Sequence, residues 1–142
     1  MLLCDVNLLV YAHRPDVAMH TEYRGWLEEA RSGDEPLALV DQVLAGFIRV
    51  VTHPRVFRDP TPSPAALAFA AALRSSPATI AVQPGERTWP IFHELVTRTG
   101  AKGNAIPDAY LAAIAIDLGA TFYTADRGFA RFEGLRWQHP LD

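Results

Sequence analysis

Cysteine is all but missing from this chain of 142 residues: Cys4 stands alone. No internal disulfide can form, and a reducing, cytoplasmic setting is expected. Lysine is as scarce. Of 13 basic residues, 12 are arginine and only Lys102 is lysine, and against 16 acids the formal net charge is -3. With a pI near 5.9, no basic field advertises nucleic acid, although a metal site is acidic in sequence and loses that charge only when its ions are bound. The histidines His13, His20, His53, His93 and His139 are scattered, with no pair at a zinc spacing. There is no Gly-x-Ser-x-Gly elbow, no Gly-x-Gly-x-x-Gly and no Walker loop, which argues against serine-hydrolase and nucleotide-cofactor chemistry. The longest apolar run, Ala65 to Leu73, is half of what a membrane span needs. Asp5 interrupts the only stretch resembling a leader, so neither a signal peptide nor a membrane partner is expected.

What is present is the composition of an ordinary globule, 49% hydrophobic and 20% charged. The length suits one domain over residues 1–142, burying about two-thirds of its unfolded surface. Leu2–Asp5 reads as a strand and Asn7–Arg14 as a helix stopped by Pro15. His20–Arg31 is an amphipathic helix with Tyr23, Trp26, Leu27 and Ala30 on one stripe, closed by Gly33. Glu35-Pro36-Leu37-Ala38-Leu39-Val40 reads as a short apolar strand, of the kind covered on both faces of a parallel sheet. Asp41 is expected to cap the helix that runs to His53-Pro54. Arg55–Pro64 is irregular, Ala65–Leu73 a helix and Thr79–Val82 a strand. Glu86–Thr99 is a helix with Trp89, Phe92, Leu95 and Val96 inward. Pro107 is expected at the first position of a helix ending at Leu118. Ala120–Thr124 and Leu135–Gln138 are strands on either side of a short turn or helix, Asp126–Phe132. Alternation of strands and helices gives an α/β layer fold with a mostly parallel sheet.

Most acids sit where a solvated helix face puts them. Three do not: Asp5 ends the first strand, Asp108 lies in the first turn of the helix after Pro107, and Asp126 follows the fourth strand by two residues. Each alone has a plain structural reading, as strand-end partner, dipole complement or Asx-turn. Together they belong to the carboxyl edge of one parallel sheet, where ligands bind at the reversal of strand order. Oxygen-only ligation of that kind suits Mg²⁺ or Mn²⁺. Asn7, Asn104 and Thr124 lie nearby in sequence, as residues that orient ligands would. Arg49, Lys102 and Arg127 are candidates for phosphate contact, each weighed against pairing with a surface acid.

Five segments carry a resemblance to a known family. They are Leu3-Cys4-Asp5-Val6-Asn7-Leu8-Leu9, the stretch Gly46 to Phe57, Ile106-Pro107-Asp108-Ala109-Tyr110-Leu111-Ala112-Ala113-Ile114-Ala115, Thr124-Ala125-Asp126-Arg127-Gly128-Phe129, and Trp137-Gln138-His139-Pro140-Leu141. In order and spacing they resemble PIN domains, and within them the VapC-type toxins of type II toxin–antitoxin pairs. The resemblance implies a three-layer α/β/α fold around a five-stranded, mostly parallel sheet. It implies an endoribonuclease with an acidic site for Mg²⁺ or Mn²⁺ and an RNA substrate, tRNA or rRNA among the candidates. It also implies a VapB-type antitoxin and a homodimer. The family's first, third and fourth acids match Asp5, Asp108 and Asp126, and its polar supporting positions match Asn7, Thr124 and Asn104. Its second acid, three residues before the arginine of the middle motif, is here Gly46. That departure motivates an alternative, a PIN-fold RNA- or protein-binding module with weak or lost catalysis. An aspartyl-nucleophile phosphatase would need an aspartate where Asn7 stands.

Overall fold

A computed structural model describes the whole chain, Met1–Asp142. Five strands form one parallel sheet: β1 (Leu2–Cys4), β2 (Leu37–Val40), β3 (Thr79–Val82), β4 (Thr121–Tyr123) and β5 (Trp137–Gln138), in the order β3-β2-β1-β4-β5. Six α-helices connect them: α1 (Val6–His13), α2 (His20–Ser32), α3 (Asp41–Val51), α4 (Ser63–Arg74), α5 (Thr88–Thr99) and α6 (Ala105–Leu118). A 3-10 turn, Arg127–Arg131, lies between β4 and β5. No helix is long and apolar enough to cross a membrane.

The sheet sets the position of everything else. From β1 the chain moves outward to β2 and β3, then returns to the other side of β1 for β4. Strand order therefore reverses between β1 and β4, whose register pairs Cys4 with Tyr123. Every residue of β1 and β2 is buried, as layers on both faces of a parallel sheet require. The edge strand β3 is half exposed. Thirty-two buried apolar residues form one core cluster. Helix α6 crosses its middle with Ala109 and Leu111–Ala115 buried; its apolar residues surround the axis, so it is a core helix, not an amphipathic one.

Three expectations need correction. Asp41 is the first residue of α3 and Val40 takes the cap position, without a side-chain cap. Strand β2 runs straight into α3, so no loop residue remains to cap it. The Asp41 carboxylate faces Arg74 at 3.1 Å instead and still complements the helix terminus. Pro107 is the third residue of α6, which begins at Ala105; the first-turn N–H groups have no helical partner, so proline costs nothing there. Trp89 does not point inward: it is 64% exposed, while Thr88 is buried. The Thr88 hydroxyl donates to Asp117 at 2.9 Å and accepts from the Gly85 N–H at 3.0 Å. That anchor turns α5 so that Thr88, Phe92 and Leu95 face α6, and hydrophobicity alone misassigned the stripe.

The irregular segment between α3 and α4 is held by Arg14. Its guanidinium grips both Asp16 oxygens at 2.7 and 2.9 Å, donates to the Asp59 carbonyl at 2.8 Å and to Thr61 Oγ1 at 3.2 Å. It also lies over Phe57, 4.1 Å from the ring centroid. Arg14→Ala is expected to destabilise the chain by about 2 kcal/mol, because the Asp59 and Thr61 oxygens lose a charged donor. A shifted urea midpoint at unchanged slope would show it; a midpoint equal to wild type would contradict it.

Candidate metal centre

Asp5 follows β1 at once and occupies the cap position of α1 in an extended conformation. Its N–H continues the sheet by donating to the Tyr123 carbonyl at 2.9 Å, which pins the residue beside the end of β4. Three residues past Tyr123, the chain turns through Asp126. Thr124, fully buried, bridges them. Its hydroxyl donates to Asp5 Oδ2 at 2.8 Å and accepts the Asp126 N–H at 3.0 Å. Asp126 then accepts the Gly128 N–H at 2.8 Å, the Asx-turn that its sequence context allows. Asp108, in the first turn of α6, comes to the same edge from the far side.

Asp5, Asp108 and Asp126 line one open cavity of about 650 Å³ at the carboxyl ends of the strands, together with Asn7, Asn104 and Arg49. Thr124 lies beneath as support. The two other candidate cations are elsewhere. Arg127 is turned to Asp142, with bonds of 2.9 and 3.2 Å, because β5 brings the end of the chain back beside the 3-10 turn. Lys102 is exposed in the loop before α6, off the cavity wall. Asp41 is not in the lining either, so it does not replace the acid missing at position 46. Sequence reading passed over Gln42, Tyr110 and Arg131. The first two reach the cavity wall: Gln42 is a single residue with no motif around it, and Tyr110 sits inside the motif that carries Asp108 but was read only as part of its apolar run. Arg131 reaches Asp108 at 3.4 Å only because the 3-10 turn folds back, which no spacing announces.

The electrostatics follow from burial. Asp5 is 6% exposed, and its pKa rises to about 6: desolvation is the main cause, opposed by the Thr124 hydrogen bond and reinforced by the charges of Asp108 and Asp126. Desolvation also raises Asp108, with Arg131 pulling the other way and Asp126 reinforcing. No three His, Cys, Asp or Glu side chains stand close enough to enclose an ion by themselves. The donor set therefore suits a hard cation that keeps several waters and takes one or two carboxylates, as Mg²⁺ does. Cys4, one residue away, is buried, and desolvation lifts its thiol to about 12, so it is no alternative ligand.

Gly46 has a packing reason. A Cβ there would stand 2.9 Å from Val6 Cγ2, so glycine lets α3 approach the first turn of α1 at the cavity wall. Refilling the position requires moving a β-branched side chain with little rotamer freedom.

Comparison with known proteins agrees with this architecture. The PIN domain model matches residues 2–135. Ribonuclease VapC43 of Mycobacterium tuberculosis is 55% identical over 142 residues, covering 100% of this chain and 97% of the relative. The chain is a PIN domain of the VapC family. VapC20 of Mycobacterium tuberculosis, a Sarcin-Ricin loop cleaving toxin, shares the fold with a TM-score of 0.68 at 19% identity, covering 96% of this chain and 99% of that one. A chain of VapBC2 from Rickettsia felis, bound to a DNA fragment from their promoter, superposes with a TM-score of 0.72 at 18% identity, covering 97% of both chains.

Two expectations follow for this VapC-family site. A carboxyl with a folded pKa near 6 against 3.8 unfolded binds more protons when folded. Its contribution is present below about pH 4 and is lost as pH rises through about 6, about 3 kcal/mol in all. Asp5→Asn should therefore raise the metal-free melting temperature at pH 7.5 and flatten its fall between pH 4 and 6; a variant that melts lower than wild type at pH 7.5 would refute this. Separately, Gly46→Ala should fail to deliver the roughly 1 kcal/mol that helix propensity offers, and should recover it when Val6 is also alanine. Additive effects of the two substitutions in urea melts would dismiss the contact.

Proposed function

We propose that this chain is a metal-dependent endoribonuclease, the toxin of a VapBC-type pair, hydrolysing RNA phosphodiester bonds with Mg²⁺ or Mn²⁺. The observation that carries the reading is the convergence of Asp5, Asp108 and Asp126, from three distant stretches of sequence, on one cavity at the switch point of the sheet. The names of the relatives, ribonuclease and loop-cleaving toxin, support the RNA substrate. The VapBC complex among the structural relatives supports a VapB-type antitoxin partner. Pairing of two copies belongs to the same reading.

Asp5, Asp108 and Asp126 would hold the cation, directly or through water. When bound, such a cation lowers the pKa of water, polarises the phosphoryl oxygens and offsets charge in the transition state. The chain's own residues do the rest. Thr124 occupies one Asp5 oxygen and so directs the other toward the cavity. The Asn7 and Asn104 amides line the wall with donors and acceptors that can orient water or phosphate. Arg49 faces the same space, and its guanidinium fork suits a non-bridging phosphate pair. Asp5 must be ionised to act as a ligand, so cation affinity should fall as pH drops below about 6.

The test is cleavage of tRNA and rRNA by the purified chain with and without chelator. Cutting should require Mg²⁺ or Mn²⁺ and fall by about two to three orders of magnitude in Asp5→Asn and Asp108→Asn. Millimolar Mn²⁺ should also raise the wild-type melting temperature. Undiminished cutting by both variants would remove the site assignment. No melting shift at millimolar Mn²⁺, together with no cutting, would favour a binding module over the endoribonuclease.

A further inference from the structure

Arg131 is bracketed between two of the three acids. Its Nη2 reaches Asp108 Oδ2 at 3.4 Å. Its Nη1 donates to the Gly128 carbonyl at 2.6 Å, and the Gly128 N–H donates to Asp126 Oδ1 at 2.8 Å. One glycine thus ties the guanidinium to the second carboxylate. A Cβ on Gly128 would stand 2.8 Å from Asp126 Oδ1 and 3.0 Å from Arg131 Nη1, so only glycine allows both approaches. The guanidinium also lies over Phe132, 4.4 Å from the ring centroid, and Phe132 is itself buried in the core. That ring is a rigid floor that fixes the plane of the fork.

The link to Asp108 is the weak one. It is long, and its two side chains are 36% and 33% exposed, a setting in which an ion pair adds little. The Gly128 and Phe132 contacts do not depend on the charge of Asp108. An arginine held this way keeps its place when Asp108 turns to another partner, and it then offers Nη2 to whatever occupies the cavity edge. The carboxylate it now pairs with, Asp108, and the one it reaches through Gly128, Asp126, are both assigned to the cation. A phosphate brought to that cation is the anion this freed fork would meet.

We propose that Arg131 is a phosphate-binding residue of the substrate site, masked by Asp108 in the cation-free protein and freed for the RNA backbone once the Asp108 carboxylate is engaged by a divalent cation. This rests on the endoribonuclease reading above. It predicts opposite responses of two affinities to one substitution. Calorimetry of Mn²⁺ binding to the RNA-free chain should show Arg131→Gln equal to wild type or tighter by up to about five-fold, since a competing cation has gone. Binding of a fluorescent single-stranded RNA oligonucleotide, with Ca²⁺ in place of Mn²⁺ and the intact length confirmed on a gel, should weaken by about five-fold at 0.1 M salt. The slope of log affinity against log salt should fall by about one.

Wild-type RNA affinity and slope in Arg131→Gln would overturn the assignment. So would a joint loss of Mn²⁺ and RNA affinity, which would make Arg131 a structural prop for Asp108. Arg131→Lys keeps the charge and guards against misfolding of the glutamine variant: it should retain the wild-type slope, and a slope lowered as in Arg131→Gln overturns the proposal. If the wild-type chain neither binds Mn²⁺ nor cuts RNA, the endoribonuclease reading fails and this inference with it. If wild type does both and only the Arg131 results miss, the inference alone fails.

Discussion

A carboxylate taken out of water at the reversal point of a parallel sheet is the constraint on which this structure turns. Asp5 is buried between the end of β1 and the start of α1, and its N–H is committed to β4. Desolvation makes its charge costly. The chain answers with one hydroxyl, Thr124, and with the N-terminal end of α1. That partial answer leaves an oxygen facing the cavity with a residual demand for positive charge. Asp108 and Asp126 enlarge the demand. The site is thus unstable by itself in the direction that a cation would correct.

Close backbone approaches shape the cavity around that charge. Gly46 lets α3 and α1 draw together on one wall, against Val6, and Gly128 lets Asp126 and Arg131 share one turn on another. In both places the missing Cβ is used for proximity, not for an unusual dihedral. The consequence differs in kind. At Gly46 the contact removes room for a fourth acid, so the negative charge of the site rests on three carboxylates. At Gly128 the contact seats the Arg131 guanidinium beside Asp108, a countercharge that adds to Arg49 on the cavity wall.

Much of this was legible before any coordinates. The apolar run Leu37–Val40 announced a strand covered on both faces, the strand-end position of Asp5 announced the switch point, and the five motif segments named the family. Two kinds of statement were not legible. One concerned orientation: Trp89 outranks Thr88 in hydrophobicity, yet the Thr88 hydroxyl sets the rotation of α5 through Asp117. The other concerned partners: Arg127 was open to a phosphate or a surface acid and is held by Asp142, while Arg131 drew no notice and meets Asp108. Long charged side chains choose partners by where surface turns bring them, and a turn such as Arg127–Arg131 leaves little periodicity to read.

The sequence alone determined the α/β alternation and the family and singled out three acids as candidates, because periodicity, turn residues and motif spacing are local properties of the chain. Only the tertiary structure decided that Thr124 bridges Asp5 to Asp126, that Gly46 yields to Val6, and which arginines face the cavity. Those contacts join residues up to 119 positions apart. They exist because parallel pairing of β1 with β4 places two strand ends side by side, a juxtaposition that no local pattern encodes.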